Sequence, residues 1–338
     1  MSIKNVKKYR HFIFAMLGLV IIVVLPPLLH KETYLVINND TTAHLIVFDA
    51  MKSGTASYLY LGQTLAGWLM IRLERIAGTD IPTLFMWFNF AVLWLSGLSV
   101  AIMTNYITKS QLAGIISAPV VIFGTGATMH LFGSGTIFNI IEVLILLPIL
   151  IVLIYKTFQS RKIQWLGAVI PWSVFMFFFH PSLGKRGITL IGKTATSSLT
   201  TDGIVIPPYI ETVIDPITLL LVFFGISNLV ALGFCIFGYY RRKNKEGIQL
   251  ATKVVVGMLI ILIIFFGVLT YTEATSFSSR TAFNTTLMLG LLLTLMIGIM
   301  LEYSQSRLAK VTVVSLVTGG TMPNLIQWLS FPNWKEIG

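Results

Sequence analysis

A chain of 338 residues with 55% hydrophobic and 11% charged residues is not a water-soluble globule, which would carry roughly a quarter charged. The mean hydropathy of +0.84 agrees. The net charge of +11 does not point to nucleic acid, because the basic residues form short runs between apolar segments, as in cytoplasmic loops facing anionic lipid. The lone Cys235 lies in an apolar run, which excludes an intramolecular disulfide or a zinc cluster built on cysteines. It reads as a small core residue.

A bilayer core of about 30 Å needs about 20 apolar residues per helix, and lipid leaves no unpaired backbone group tolerable, so the apolar runs predict helices. The first is 12–29, preceded by Lys4, Lys7, Lys8 and Arg10. Its length, and the Pro26-Pro27 pair near its end where a small-residue cleavage site would be expected, predict an uncleaved first helix with a cytoplasmic N-terminus. A long outer segment, 30–80, follows. It is expected to hold two amphipathic interfacial helices, near 41–52 and 58–77. The stretch 58–71 contains Gln63, Thr64 and two glycines and is short for a span. If it crossed the membrane, every later loop would flip and Arg241-Arg242-Lys243-Asn244-Lys245 would face outward. The interfacial reading keeps more of the 24 Lys and Arg on the cytoplasmic side.

The remaining spans then alternate: 83–104 inward, 111–129 outward, 136–155 inward and 165–179 outward. A second outer loop, 180–215, leads to 217–240 inward, 254–270 outward, 284–302 inward and 311–328 outward. The last is short and interrupted by Gly319-Gly320 and Pro323. The expected fold is one all-α polytopic membrane domain over 1–338, with about nine transmembrane helices. In this topology Asp40, Asp49, Glu74, Asp80, Asp202, Glu211, Asp215 and Glu273 face outward, Glu246 and Glu302 face the cytoplasm, and Glu142 lies within a span. Polar chemistry is therefore expected on the outer face of a plasma membrane.

Within Asn38-Asn39-Asp40-Thr41-Thr42-Ala43-His44, Asp40 reads as a helix N-cap, and a carboxylate held that way is also placed to accept a proton. His44, four residues on, shares its helical face, either as a proton partner or as a plain interfacial histidine. His180, after the run Val174–Phe179, either lines a cavity or caps a helix. Lys185, Arg186, Lys193 and Arg280 are basic residues on the face where such residues are rare; they suit an anionic lipid phosphate, or ordinary headgroups by snorkelling. Gly124–Gly135 carries no carboxylate and matches no phosphate-loop spacing; it reads as a turn or a close-packing segment. Glu142, some six positions into a span, is expected to face the bundle interior, with a partner such as Asn139 or protonated. The loop 194–215 is long enough to form a lid or a surface loop.

The order of these features resembles the first loop of GT-C fold glycosyltransferases. An early acid precedes a short helix ending Lys52-Ser53-Gly54; then come Tyr58-Leu59-Tyr60-Leu61-Gly62-Gln63, a helix closing at Gly78 and, later, Phe179-His180-Pro181. The resemblance implies a transferase that takes a sugar from a polyprenyl-phosphate donor to a lipid or glycan acceptor. In it Asp40 acts on the acceptor, as general base or through a divalent cation, and Arg280 holds the donor phosphate, with help from Lys185 and Arg186. His44 and His180 fall among the substrate-binding candidates. Two departures stand out: many members carry a second acid in the loop corresponding to 124–135, and many are longer. A transporter or lipid flippase, or a silent subunit supporting a membrane partner, are the other readings.

Overall fold

The structure is a computed structural model. It describes residues 3–29, 39–56, 60–128, 131, 137–160, 162–179, 224–240, 257, 279–304 and 306–330. Every element among them is helical. In chain order they are α1 (Ile3–Leu29), α2 (Asn39–Ser53), α3 (Leu61–Ala77), α4 (Ile81–Thr108), α5 (Gln111–Gly124), α6 (Ile137–Ser160), α7 (Leu166–Phe179), α8 (Ile226–Tyr240), α9 (Ser279–Tyr303) and α10 (Arg307–Leu329).

Four stretches are long and apolar enough to cross a membrane: Tyr9–Leu29, Ile81–Thr108, Ile137–Ser160 and Thr286–Tyr303. This fits an integral membrane protein. The expected spans 111–129, 165–179 and 217–240 appear as shorter apolar helices. The expected span 254–270 lies outside the described residues. The last expected span differs from the sequence reading, because α10 runs unbroken through Gly319, Gly320 and Pro323. Packing against α5 and α8 holds it helical there.

Local signals set the turns. Gly78 ends α3 in the left-handed conformation, its N–H donating to the Glu74 carbonyl at 2.9 Å. Asp80 precedes α4, and Pro82 occupies its first turn, where a missing N–H costs nothing. Lys109 (φ 60°) ends α4, and the Ser110 hydroxyl accepts from the Ala113 N–H at 3.3 Å to open α5. With two residues between them, α4 and α5 must lie antiparallel and adjacent, and they form the most extensive helix pair of the bundle.

Contacts along the helices give their relative directions. Trp94 Nε1 donates to the Met16 carbonyl, and Trp328 Nε1 to that of Ile22. Phe138 packs near Phe85 by way of His44, and Tyr155 meets Tyr106. Trp172 Nε1 reaches the Leu146 carbonyl, while Lys156 lies over Trp165. Phe224 borders Gly290, and Met300 borders Gly238. Helices α1, α5, α7 and α10 therefore run one way, and α4, α6, α8 and α9 the other. These senses agree with the alternation expected from the sequence. The end where α1 begins (the near end) carries Arg10, Lys109, Lys156, Lys162, Arg307 and Lys310 with Glu302. The end where α1 finishes (the far end) carries Asp49, Lys52, Arg72, Glu74, Arg75 and Asp80.

Candidate functional site

The far end is built by α2 and α3 folding over the starts of α4 and α6 and the finish of α7. Thr41, His44 and Phe48 recur at three and four residues, so they form one face of α2, and all three are buried. Phe48 also abuts Gly67 of α3, where an added Cβ would stand 2.9 Å from the ring. Lys52 and Glu74 join the other ends of the two helices by a 2.8 Å ion pair. At the start of α3, a Cβ on Gly62 would lie 2.6 Å from the Phe179 carbonyl, so only glycine lets α3 approach the end of α7 this closely.

His44 sits at the centre of this junction. Its Nδ1 is 3.0 Å from the Gln63 amide nitrogen. With the amide so oriented, Nδ1 accepts, and a neutral ring carries its proton on Nε2. Aromatic rings enclose it: Phe138 edge-on at 4.8 Å, Phe85 at 6.1 Å and Phe48 stacked at 6.4 Å between centroids. Tyr60 and Phe179 extend the wall through Phe138, at 5.4 and 6.1 Å. The result is a polar pair set in a largely apolar shell, an environment that strengthens any hydrogen bond made there.

Asp40 lies in the first turn of α2, one position inside the helix rather than immediately before it. The register of α2 places position 40 on the face that carries His44, and negative charge is favourable in a first turn. Arg280 lies in the first turn of α9, also at the far end. The side chains of Asp40 and Arg280 lie outside the described residues, as do His180, Lys185 and Arg186 altogether. The structure thus joins Asp40 and His44 on one helix face, sets Phe179, the residue before His180, against the His44 shell, and puts Arg280 at the same end of the bundle.

Gln63 is the site residue that sequence reasoning passed over. In the chain it stands as an amide in a segment too short to span and as the last residue of Tyr58–Gln63, with nothing to pair it with His44. The aromatic walls come from four separate helices, and no local pattern in the chain announces that they meet.

Glu142 is buried, 4% exposed, as expected of an ionisable residue inside a span. It lies in a π-helical turn, Ile141–Leu146, near the buried Asn139. Pro148 comes two residues after it; it has no N–H to give, and its ring would crowd the Leu144 carbonyl in a regular α-turn, which a widened turn relieves. In the Gly-rich stretch after α5, Thr125, Ala127 and Thr128 are buried and Gly126 takes a positive φ of 67°, so this part is a packed turn. Cys235 is buried with a free thiol. Among the described residues, no group of three or more His, Cys, Asp and Glu is gathered so as to hold a metal ion. Comparison with protein-family models, with curated proteins and with solved structures returns no match.

Proposed function

We propose that the chain is a membrane glycosyltransferase of GT-C type, transferring a sugar from a polyprenyl-phosphate donor to a lipid or glycan acceptor at the far end. The observation that carries this reading is the union of α2 and α3 with the helical core. They hold His44 beside an aromatic wall suited to a sugar ring or prenyl chain, bring α3 against the end of α7, and set position 40 one turn from His44 on α2. Asp40 deprotonates or positions the acceptor hydroxyl, directly or through a divalent cation. Arg280, with Lys185 and Arg186, holds the departing phosphate, whose electrostatic stabilisation is the other main catalytic contribution.

The basic near end supports a cytoplasmic N-terminus in a plasma membrane, and the far end then faces outward. The exposed apolar face of α3 supports an interfacial position for that helix and for α2 beside it. The bundle in this reading has about nine spans, 254–270 supplying the return between the parallel α8 and α9. The deciding experiment is sugar transfer from a polyprenyl-phosphate donor by the purified chain in proteoliposomes. Asp40→Asn and Arg280→Ala abolish transfer while leaving the thermal unfolding transition in place. Full activity in folded Asp40→Asn removes the proposed base, and recovery of chelator-treated protein by added divalent ion assigns the cation.

A second reading, a transporter, draws on Glu142 buried in the π-turn of a long span, the kind of position used by coupling carboxyls. Substrate uptake into proteoliposomes that is lost in Glu142→Gln, without any transferase activity, selects it.

A further inference from the structure

One surface of the far end takes no part in the site above. On α3, Gly62, Gln63, Ala66, Gly67 and Met70 turn inward, while Leu65, Trp68, Leu69, Arg72 and Ile76 form one exposed stripe. Ile76 is 82% exposed and Trp68 57%. Arg72 stands in the middle of that stripe, its guanidinium carbon 5.4 Å from the centre of the Trp68 ring. Arg75 flanks it, also exposed. The one acid of α3, Glu74, is turned away and already bonded to Lys52. The stripe and its flank therefore present two guanidinium groups with no ion-pair partner among the described residues, beside four large apolar side chains. Water suits the arginines and not the apolar groups; a hydrocarbon phase does the reverse. A leaflet of anionic phospholipid suits both, because its phosphates lie at the depth where an interfacial helix keeps its cations.

We propose that α3 is an anionic-phospholipid-binding helix. Arg72, stacked on Trp68, and Arg75 hold headgroup phosphates of the leaflet, while Leu65, Leu69 and Ile76 enter the acyl boundary. The consequence is mechanical: α3 carries Gln63, the hydrogen-bond partner of His44, so headgroup contact at one face of the helix fixes the polar pair at the other. This rests on the interfacial position of α3 stated above. A guanidinium on an indole face keeps its edge free for bidentate phosphate contact, which lysine in the same place does not offer.

The test uses the full chain with Cys235→Ala, so that a cysteine placed at Ile76→Cys is the only thiol and carries a fluorophore. The protein is reconstituted into phosphatidylcholine nanodiscs containing a small fraction of shallow spin-labelled lipid. Spin-labelled phosphatidylglycerol is expected to quench the probe as if enriched about tenfold over spin-labelled phosphatidylcholine. The preference disappears in Arg72→Gln/Arg75→Gln and at high salt. Equal quenching by the two lipids, unchanged in the double variant, overturns the headgroup proposal while leaving α3 at the interface. Absence of quenching by either lipid removes the interfacial position itself. If undecaprenyl phosphate displaces the spin-labelled lipid at one molecule per chain while unlabelled phosphatidylglycerol does not, the stripe is a carrier groove and the proposal is also overturned.

Discussion

Two regions of the far end solve the same packing problem with opposite materials. Around His44, large rings from α2, α4, α6 and α7 meet, α3 closes on them through Gly62 and Gly67, and His44, paired with Gln63, is enclosed by Phe48, Phe85 and Phe138. Where α5 ends, the helices meet through the absence of side chains. Asn228 of α8 donates to the carbonyls of Gly124 and Phe224, at 3.0 and 2.8 Å. Asn324 of α10 donates to the Phe123 carbonyl at 2.6 Å. With 14 residues, α5 is only about 21 Å long, and its last carbonyls end among buried residues, where they need donors. The asparagines supply them. Gly320 makes room: a Cβ there would stand 2.6 Å from Asn228 Oδ1, so the glycine Cα–H faces that oxygen instead. The first region encloses a side-chain pair in rings; the second uses its amides to close a helix end.

The largest perturbation expected is Phe138→Ala. It removes the ring that touches His44, Tyr60 and Phe179 together, and it should lower stability by about 3 kcal/mol, read from unfolding in mixed micelles. A variant that retains wild-type stability shows that the shell is already loose. Next comes Gly320→Ala. The added methyl forces Asn228 off its two carbonyls, at an expected cost of about 2 kcal/mol. In an Asn228→Ala background the same substitution should be far milder. Additive effects in this double-mutant cycle break the clamp argument.

Smaller is Gln63→Leu, which leaves the His44 Nδ1 without its donor in a buried setting and should cost about 1 kcal/mol. Its sharper readout is transfer activity. Loss there, with stability nearly kept, separates the aromatic region as a working site from the α5 region as a scaffold. The smallest is Lys52→Met. The Lys52–Glu74 pair has its lysine about half exposed, so removing it should change stability by less than about 1 kcal/mol, and less still at high salt.

Much of this arrangement was readable in the chain. The spans at 12–29, 83–104, 136–155 and 284–302 stand out because apolar residues outnumber every alternative over 18 or more positions, and charge runs suffice to set their alternation. The extension of α4 to Thr108 and of α6 to Ser160 follows from polar and aromatic residues that helices tolerate near a membrane boundary. The short α5 was the harder case. Its end is marked locally by Gly124-Thr125-Gly126, with Gly126 at a positive φ of 67°, but the donors to its last carbonyls, Asn228 and Asn324, lie more than a hundred residues away in the chain. The unbroken α10 is the converse. Gly319, Gly320 and Pro323 each weaken a helix locally, yet contacts with α5 and α8 outweigh that preference. For the site, Asp40 and His44 were legible as neighbours because i and i+4 share a helical face, whereas Gln63 and the rings of Phe85, Phe138 and Phe179 were not.

Sequence alone determined the solvent of this protein and the sense in which its helices alternate, since both depend on composition and charge summed over whole segments. Which backbones touch was decided only by the tertiary structure. Close approach depends on a glycine in one helix meeting a particular carbonyl or amide in another, and that coincidence is recorded nowhere along a single stretch of chain.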